Sequence, residues 1–167
     1  MKKIIFLLSV FFLGCSSDSK YLINEGVVNI NYLFNSPNTE WFKKNYDSYN
    51  LDTKTLNYDF SNLDEFQIEI YMNTKCHDSE REVPRLIKIL NTLNFSEDNL
   101  KIILLDSNKK SSDGYENGKD ITNTPTIIFL SESIEMNRIV EFPYENLEKD
   151  ILNIINNKNY THVYYSE

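Results

Sequence analysis

The chain has 167 residues, of which 41% are hydrophobic and 13% aromatic, a composition typical of one globular domain with a short extension. Its formal net charge of −8 and its scattered lysines and arginines exclude a basic phosphate-binding surface, so we expect no nucleic-acid partner. The two cysteines, Cys15 and Cys76, lie in very different surroundings.

The N-terminus has the layout of a secretory signal peptide. Lys2 and Lys3 precede an apolar run that is shorter than the roughly 20 residues a bilayer span needs. The sequence FLGC followed by SSDS resembles a bacterial lipobox, although Phe12 stands where leucine is usual. This resemblance implies that residues 1–14 are removed and that Cys15 is lipidated. An ordinary secretory signal with a chance cysteine is the alternative.

A lipid on Cys15 would anchor the protein in the cell envelope, facing the periplasm, with the choice between inner and outer membrane left open. It would also leave Cys76 without a partner for an intramolecular disulfide. We assign residues 15–37 to this lipidated N-terminus and a tether, in which GVVNINYLF is compatible with a strand or with an ordered part of the tether.

Residues 38–65 are predicted to form an N-terminal helical extension. A helix-start signal, Ser36-Pro37-Asn38-Thr39, precedes it. Aromatic residues then recur with a helical period, and we expect their shared face to pack on the core. These residues are Trp41, Phe42, Tyr46 and Tyr49.

The apolar pattern then predicts a β-α-β unit followed by β-β-α. FQIEIYM (66–72) alternates as a strand does, and a helix with a 3.6-residue apolar period follows NTKCHD. KIILL (101–105) and TIIFL (126–130) are short apolar runs suited to strands that are covered on both faces. RIVEF (138–142) is interpreted as the last strand, and residues 145–156 as the last helix.

Two segments have less regular patterns. The polar connection SNKKSSDGYENGKD (107–120) has turn signals at Asp113-Gly114 and at Asn117-Gly118. Whether it also contains one helical turn is left open. The tail, residues 157–167, shows no clear period and is left unassigned.

Three features in register resemble the thioredoxin family. A strand leads into Cys76, which opens a helix, and Pro84 follows eight residues later, where the family has a helix-kinking proline. Pro125 directly precedes a strand, as the cis-proline of the family does. The resemblance covers residues 66–156. It implies an α/β, thioredoxin-like fold with a central mixed sheet flanked by helices.

More narrowly, CxDSxREVPRxxKIL, TPTxIF and RIVExPxExLEKDIL resemble secreted thioredoxin family proteins of Bacteroidota-type bacteria that carry Trp-Cys-Gly-Asp-Ser. This chain keeps Cys76, Asp78 and Ser79, but Lys75 and His77 replace the tryptophan and the glycine. The resemblance implies that Cys76, Asp78 and Ser79 form the catalytic site.

The same resemblance implies that Thr124, beside Pro125, offers its backbone to a substrate strand, and we add His77 to the substrate-binding residues. The buried acid of the family, six residues before the cysteine, is Ile70 here. Glu69 should face the other side of the strand, so we assign no proton relay.

Ser79 stands where a second, resolving cysteine would be, and its oxygen cannot attack a sulfur. We therefore predict monothiol thiol-disulfide exchange through Cys76, with protein or small-molecule thiols and disulfides as partners and an external resolving thiol. A helix N-terminus and Lys75 would favour the thiolate, and Ser79 can donate a hydrogen bond to the sulfur.

A non-catalytic, peptide- or protein-binding lipoprotein that uses the Pro125 surface is the rival interpretation, with Cys76 inert. We expect no cofactor and no metal, because Cys76 and the adjacent His77 cannot complete a tetrahedral site. The sequence predicts neither the substrate nor the oligomeric state.

Overall fold

A computed structural model describes residues 26–165. The predicted signal peptide and the predicted lipidation site, Cys15, lie outside the described residues. The helices and strands occur in the following order: β1 Gly26–Val28, α1 Ile30–Asn35, a 3-10 turn Pro37–Thr39, α2 Trp41–Ser48, α3 Thr53–Leu56, a 3-10 turn Ser61–Glu65, β2 Gln67–Met72, α4 His77–Thr92, a 3-10 turn Glu97–Asn99, β3 Leu100–Leu104, β4 Thr126–Ser131, β5 Ile134–Val140 and α5 Leu147–Ile155.

Within residues 26–165, five strands form one mixed sheet in the order β1-β3-β2-β4-β5. β2 and β3 run parallel, because α4 carries the chain back across the sheet between them. All other neighbouring pairs are antiparallel. Ile70 of β2 lies opposite Ile102 of β3 and Ile127 of β4. The mixed sheet flanked by helices, which the sequence predicted, is therefore confirmed.

The alternation of β2 divides its side chains between two apolar layers. Ile68, Ile70 and Met72 point into the main core, which the helices cover. Tyr71 points to the opposite face, where it packs with apolar residues of β3 and β4 under the connection between those strands. Both faces of the central strands are thus covered, as their continuous apolar runs predicted.

The helical period of α4 also matches the prediction. Its apolar face buries Val83, Leu86, Ile87 and Leu90, while Leu93 at its end is partly buried against the same core. α5 lies within the predicted range of 145–156, and its buried apolar residues include Leu147, Ile151, Ile154 and Ile155.

The predicted tether requires a correction between residues 26 and 37. Val27 pairs with Ile103 in the antiparallel ladder between β1 and β3, and α1 follows at once. Ile30 and Leu33 of α1 are buried in the main core. These residues belong to the fold because they close one edge of the sheet and contribute apolar side chains to its core.

One strand has other bounds than the sequence predicts, and the structure describes two segments that the sequence left open. β5 begins at Ile134 and ends at Val140, because Glu141 adopts a left-handed φ of 67° that no strand can continue. Residues 107–120 form turns without a helical turn. In the tail, Tyr160 is buried and its hydroxyl donates to Asp150 at 3.0 Å, so the described part of the tail packs on α5.

The N-terminal helical extension is fastened to α5 by a buried carboxylate. Glu148, with 0% of its side chain exposed, accepts a hydrogen bond from the Tyr49 hydroxyl at 2.8 Å and one from the Asp52 N–H at 2.9 Å. Burial and the contact with Glu148 raise the pKa of Tyr49 well above its usual value. The extension and the sheet therefore form one packed unit.

The connection between β3 and β4 is organised around another buried carboxylate, Glu116. Its Oε2 accepts hydrogen bonds from the Ser111 hydroxyl at 2.6 Å and from the Ser111 N–H at 3.1 Å, and the Lys110 ammonium lies 3.5 Å from Oε1. The hydrogen bond from the Ser111 hydroxyl, helped by backbone donors and the Lys110 charge, lowers the pKa of Glu116 from 4.5 to about 2.

We expect the Glu116 interactions to stabilise the protein above pH 4.5 and to be lost as the pH falls through about 2, because the folded state then has to protonate a carboxylate that it prefers ionised. The melting temperature of the wild type should therefore fall more steeply than that of Glu116→Gln as the pH is lowered from 4.5 to about 2. The matched control is Glu65→Gln, which removes an exposed carboxylate. If the melting temperatures of the wild type and Glu116→Gln fell in parallel with pH, the prediction would be contradicted.

Candidate functional site

Cys76 lies at the junction between β2 and α4, where it is the N-cap residue of the helix. Asn73 shapes the turn before it. The side chain of Asn73 accepts from the Lys75 N–H at 2.7 Å and donates to the Leu105 carbonyl at 2.9 Å, while its own carbonyl accepts from the Cys76 N–H at 3.0 Å. These contacts place the cysteine at the edge of the sheet where β2 and β3 end.

The Cys76 thiol contacts the loop that precedes β4. Its Sγ donates to the Thr124 carbonyl at 3.0 Å, and the side chain is partly exposed. The Thr124-Pro125 peptide bond is cis. Residues 48 positions apart, which the sequence predicted to share a site, are therefore in direct contact. The Cys76 side chain makes no capping hydrogen bond with the helix, since its sulfur faces the loop.

Ser79 makes its hydrogen bond with the turn before Cys76 and not with the sulfur. Its side chain is fully buried one turn into α4, and its Oγ accepts a hydrogen bond from the Asn73 N–H at 3.3 Å. The sulfur of Cys76 donates to Thr124 instead of accepting from Ser79. The predicted Ser79-to-sulfur hydrogen bond is therefore replaced by a contact that stabilises the turn between β2 and α4.

Asp78 and His77 lie beside the thiol without contacting it. Asp78 pairs with Arg81 at 2.6 Å, so its negative charge is balanced on the same helix. His77 is exposed and lines a neighbouring cavity with Tyr49 and Arg85, outside the groove that contains Cys76. The structure therefore brings Cys76, Thr124 and Pro125 together and leaves His77 on an adjacent surface.

A groove of about 460 Å³ opens beside the thiol. Sequence reasoning missed Asn73 and the three lining residues that follow β3 in a polar connection, which are Asp106, Ser107 and Lys109. A usable signal existed, since the carboxyl ends of parallel strands share one edge of a sheet, which brings the residues after β3 next to those after β2. The lining residues are Asn73, Lys75, Cys76, Asp106, Ser107, Lys109 and Thr124.

The helix that carries Cys76 is braced by α2. Pro84 has no N–H, so it cannot donate to the Glu80 carbonyl four residues earlier in α4. The Asn45 side chain of α2 supplies a donor to that carbonyl at 2.9 Å. One turn earlier in α2, the Trp41 indole N–H donates to the Thr74 carbonyl at 3.3 Å. Contacts from one helix thus hold the backbone on both sides of Cys76.

The loop at Pro125 has its own support. The Glu141 N–H donates to the Pro125 carbonyl at 2.7 Å, and the Glu141 carboxylate accepts from the Asn123 side chain at 2.8 Å. The same carboxylate oxygen accepts from the Tyr164 hydroxyl of the tail. The end of β5 and the tail therefore fix the position of the Thr124 carbonyl that faces the thiol.

A protein-family model described as Thioredoxin matches residues 31–151, well over half of the chain. The chain belongs to the thioredoxin family. No curated protein matches it. Among solved structures, a protein of unknown function from Pseudomonas aeruginosa has a TM-score of 0.51 at 13% identity, over 74% of this chain and 86% of that one. This likeness supports the fold alone.

A second solved structure, an HIV epitope-scaffold, has a TM-score of 0.47 at 14% identity, over 72% of this chain and 82% of that one. The family model begins within α1, so the family match includes the N-terminal helices that brace Cys76 as well as the sheet.

The strand before the cysteine of this thioredoxin family protein has no acid on its helix-covered face. Ile70 is fully buried there, while Glu69 lies on the opposite face, where it contacts the Tyr71 hydroxyl and the Lys119 ammonium.

In residues 26–165, no three His, Cys, Asp or Glu side chains form a group suited to a metal ion. No helix in this range is long and apolar enough to cross a membrane.

Replacing Asn45 with alanine should leave the Glu80 carbonyl without its side-chain donor. We expect the free energy of unfolding, measured in urea, to fall by about 1 kcal/mol. Asn45→Asp is the sharper variant, because it keeps the shape of asparagine but presents an acceptor to the carbonyl. The control Lys44→Ala alters an exposed neighbour on α2. If Asn45→Asp were as stable as the wild type, the brace would be refuted.

Proposed function

We propose that this thioredoxin family protein carries out thiol-disulfide exchange through Cys76 as a monothiol, and that a lipid on Cys15 anchors it in the cell envelope. One observation carries the proposal: the partly exposed thiol, at the start of a 16-residue helix, lies 3.0 Å from the Thr124 carbonyl beside a cis-proline. The narrower kinship with secreted Bacteroidota-type proteins and their Cys-x-Asp-Ser site is part of this proposal.

The reaction begins when the Cys76 thiolate attacks one sulfur of a substrate disulfide. A bond forms between Cys76 Sγ and that sulfur, the original sulfur-sulfur bond breaks, and the second sulfur leaves as a thiolate with the electron pair. The positive end of the α4 dipole stabilises the attacking thiolate. The product is a mixed disulfide between Cys76 and the substrate.

The mixed disulfide needs a thiol from outside the chain. Ser79 is buried and its hydroxyl is engaged with the Asn73 N–H, and an alcohol oxygen does not displace a thiolate from a disulfide. A thiolate of a small thiol or of a partner protein can attack Cys76 Sγ instead, which releases the substrate as a thiolate and leaves Cys76 bonded to the attacking sulfur. A second external thiolate then attacks that sulfur, so that Cys76 leaves as a thiolate and the two external thiols end as a disulfide. When the free substrate thiolate instead attacks another disulfide of the same substrate, that disulfide breaks and releases a new thiolate. If this new thiolate attacks the substrate sulfur of the mixed disulfide, Cys76 leaves as a thiolate and the outcome is isomerisation.

The Thr124 carbonyl provides a place for the substrate backbone. In the free protein this oxygen accepts from the Cys76 thiol. An extended substrate can donate its own N–H to the same oxygen and add a short strand beside Pro125. Binding would then release the sulfur from its intramolecular contact at the moment when the disulfide is in reach.

A mixed-disulfide trap tests this function. The exported protein is isolated under acid quench, and the partners that a reductant releases are counted for the wild type, Cys76→Ala and Ser79→Cys. We expect partners on the wild type and none on Cys76→Ala. The lifetime of the mixed disulfide should shorten by roughly tenfold or more in Ser79→Cys, because an intramolecular thiol has a millimolar or higher effective concentration.

Two results would overturn the proposal. A wild type without trapped partners, together with a Ser79→Cys variant that gains dithiol activity, would mean that the scaffold is competent but that the natural protein is no redox enzyme. Equal capture of partners by Cys76→Ala would instead indicate the non-catalytic binding lipoprotein.

A further inference from the structure

The groove beside Cys76 presents two ammonium groups. Lys75 and Lys109 both line it, and neither side chain has a hydrogen-bond or ion-pair partner among the residues the structure describes. By contrast, Lys110 and Lys119 nearby are paired with Glu116 and Glu69. Two unpaired positive charges at the thiol are notable in a chain with a formal net charge of −8.

The position of Lys109 is set by a tight turn. Lys109 has a left-handed φ of 61°, which asparagine or glycine adopts with less strain than lysine. The Asp106 side chain accepts from the Asn108 and Lys110 N–H groups, each at 2.8 Å, and the Lys109 N–H donates to the Asp106 carbonyl at 3.1 Å. The turn therefore holds a lysine side chain toward the groove.

The acidic groups near the groove do not cancel these charges. Among the described residues, Asp106 is the one carboxylate that lines it. Its Oδ1 accepts from the Asn108 and Lys110 N–H groups, and its Oδ2 accepts from the Asn108 side chain at 3.3 Å. Asp78 on α4 is paired with Arg81. With two lysines against one aspartate, the lining has a net charge of about +1 around the thiol.

We propose that the groove selects disulfides that carry a carboxylate close to the sulfur-sulfur bond, with Lys75 and Lys109 binding that carboxylate. This inference rests on the proposed exchange at Cys76 and names the substrate class of the same site. The carboxylate belongs either to a small acidic disulfide or to an acidic segment of a protein, and the experiment separates these sources.

The test uses the full chain with Cys15→Ser, so that Cys76 is the sole thiol. Two small disulfides are compared: dithiobis(nitrobenzoate), which carries carboxylates, and dithiodipyridine, which is neutral. In each reaction Cys76 bonds to one sulfur, the probe disulfide breaks, and an aromatic thiolate leaves with the electron pair and is measured by its absorbance. The measured quantity is the ratio of the anionic to the neutral rate constant.

We expect this ratio to fall about three- to fivefold in Lys75→Gln and in Lys109→Gln, since each variant removes one close charge in a solvated groove. The Lys109→Arg variant should keep the wild-type ratio of the two rate constants. The matched control is Lys158→Gln, which changes the net charge equally from an exposed position outside the groove. Added salt should lower the wild-type ratio toward that of the variants.

A second arm uses short cysteine peptides activated as pyridyl disulfides, with glutamate or glutamine beside the cysteine. A lysine-dependent preference for the glutamate peptide supports an acidic protein segment, and a preference confined to the small anionic probe supports a small acidic disulfide. If neither lysine variant changes the preference for the anionic probe or for the glutamate peptide, this inference is wrong. The proposed exchange at Cys76 is then unaffected. A reduced, folded wild type that reacts with neither small probe overturns the proposed function itself.

Discussion

Pro84 is the constraint around which the site is built. Its missing N–H leaves the Glu80 carbonyl without the donor that an uninterrupted helix would provide. Asn45 reaches that carbonyl from α2, and Trp41, one turn earlier on the same helix, reaches the Thr74 carbonyl. A helix whose aromatic face packs on the core therefore also holds the backbone around Cys76, which explains why the N-terminal helices cannot be separated from the sheet.

The topology of the sheet decides which residues meet at the thiol. β2 and β3 are parallel, so the residues after both strands lie at one edge. β4 runs antiparallel to β2, so its first residues, preceded by Thr124 and Pro125, come to the same edge. The site thus lies where β2 and β3 end and where β4 begins. This arrangement brings Cys76, the two lysines and the Thr124 carbonyl together in the groove.

Much of this fold could be predicted from the sequence, because apolar periodicity reports burial directly. The alternation through Ile68 and Ile70 and the spacing of Pro84 and Pro125 located the central strands and the thiol. β1 was left undecided, since three residues are too few to display a period. The contact between Asn45 and Glu80 was not predictable, because it joins a side chain to a backbone group 35 positions away.

The serine at the resolving position has a structural reason as well as a chemical consequence. The Asn73 N–H follows the last residue of β2, at the point where the sheet ladder ends, and it needs an acceptor. A hydroxyl oxygen accepts a hydrogen bond better than a thiol sulfur does. Ser79, buried beneath the turn, provides that acceptor at 3.3 Å. The side chain that would complete a dithiol pair instead stabilises the turn that presents Cys76, and the exchange that we propose at this site therefore uses a single sulfur.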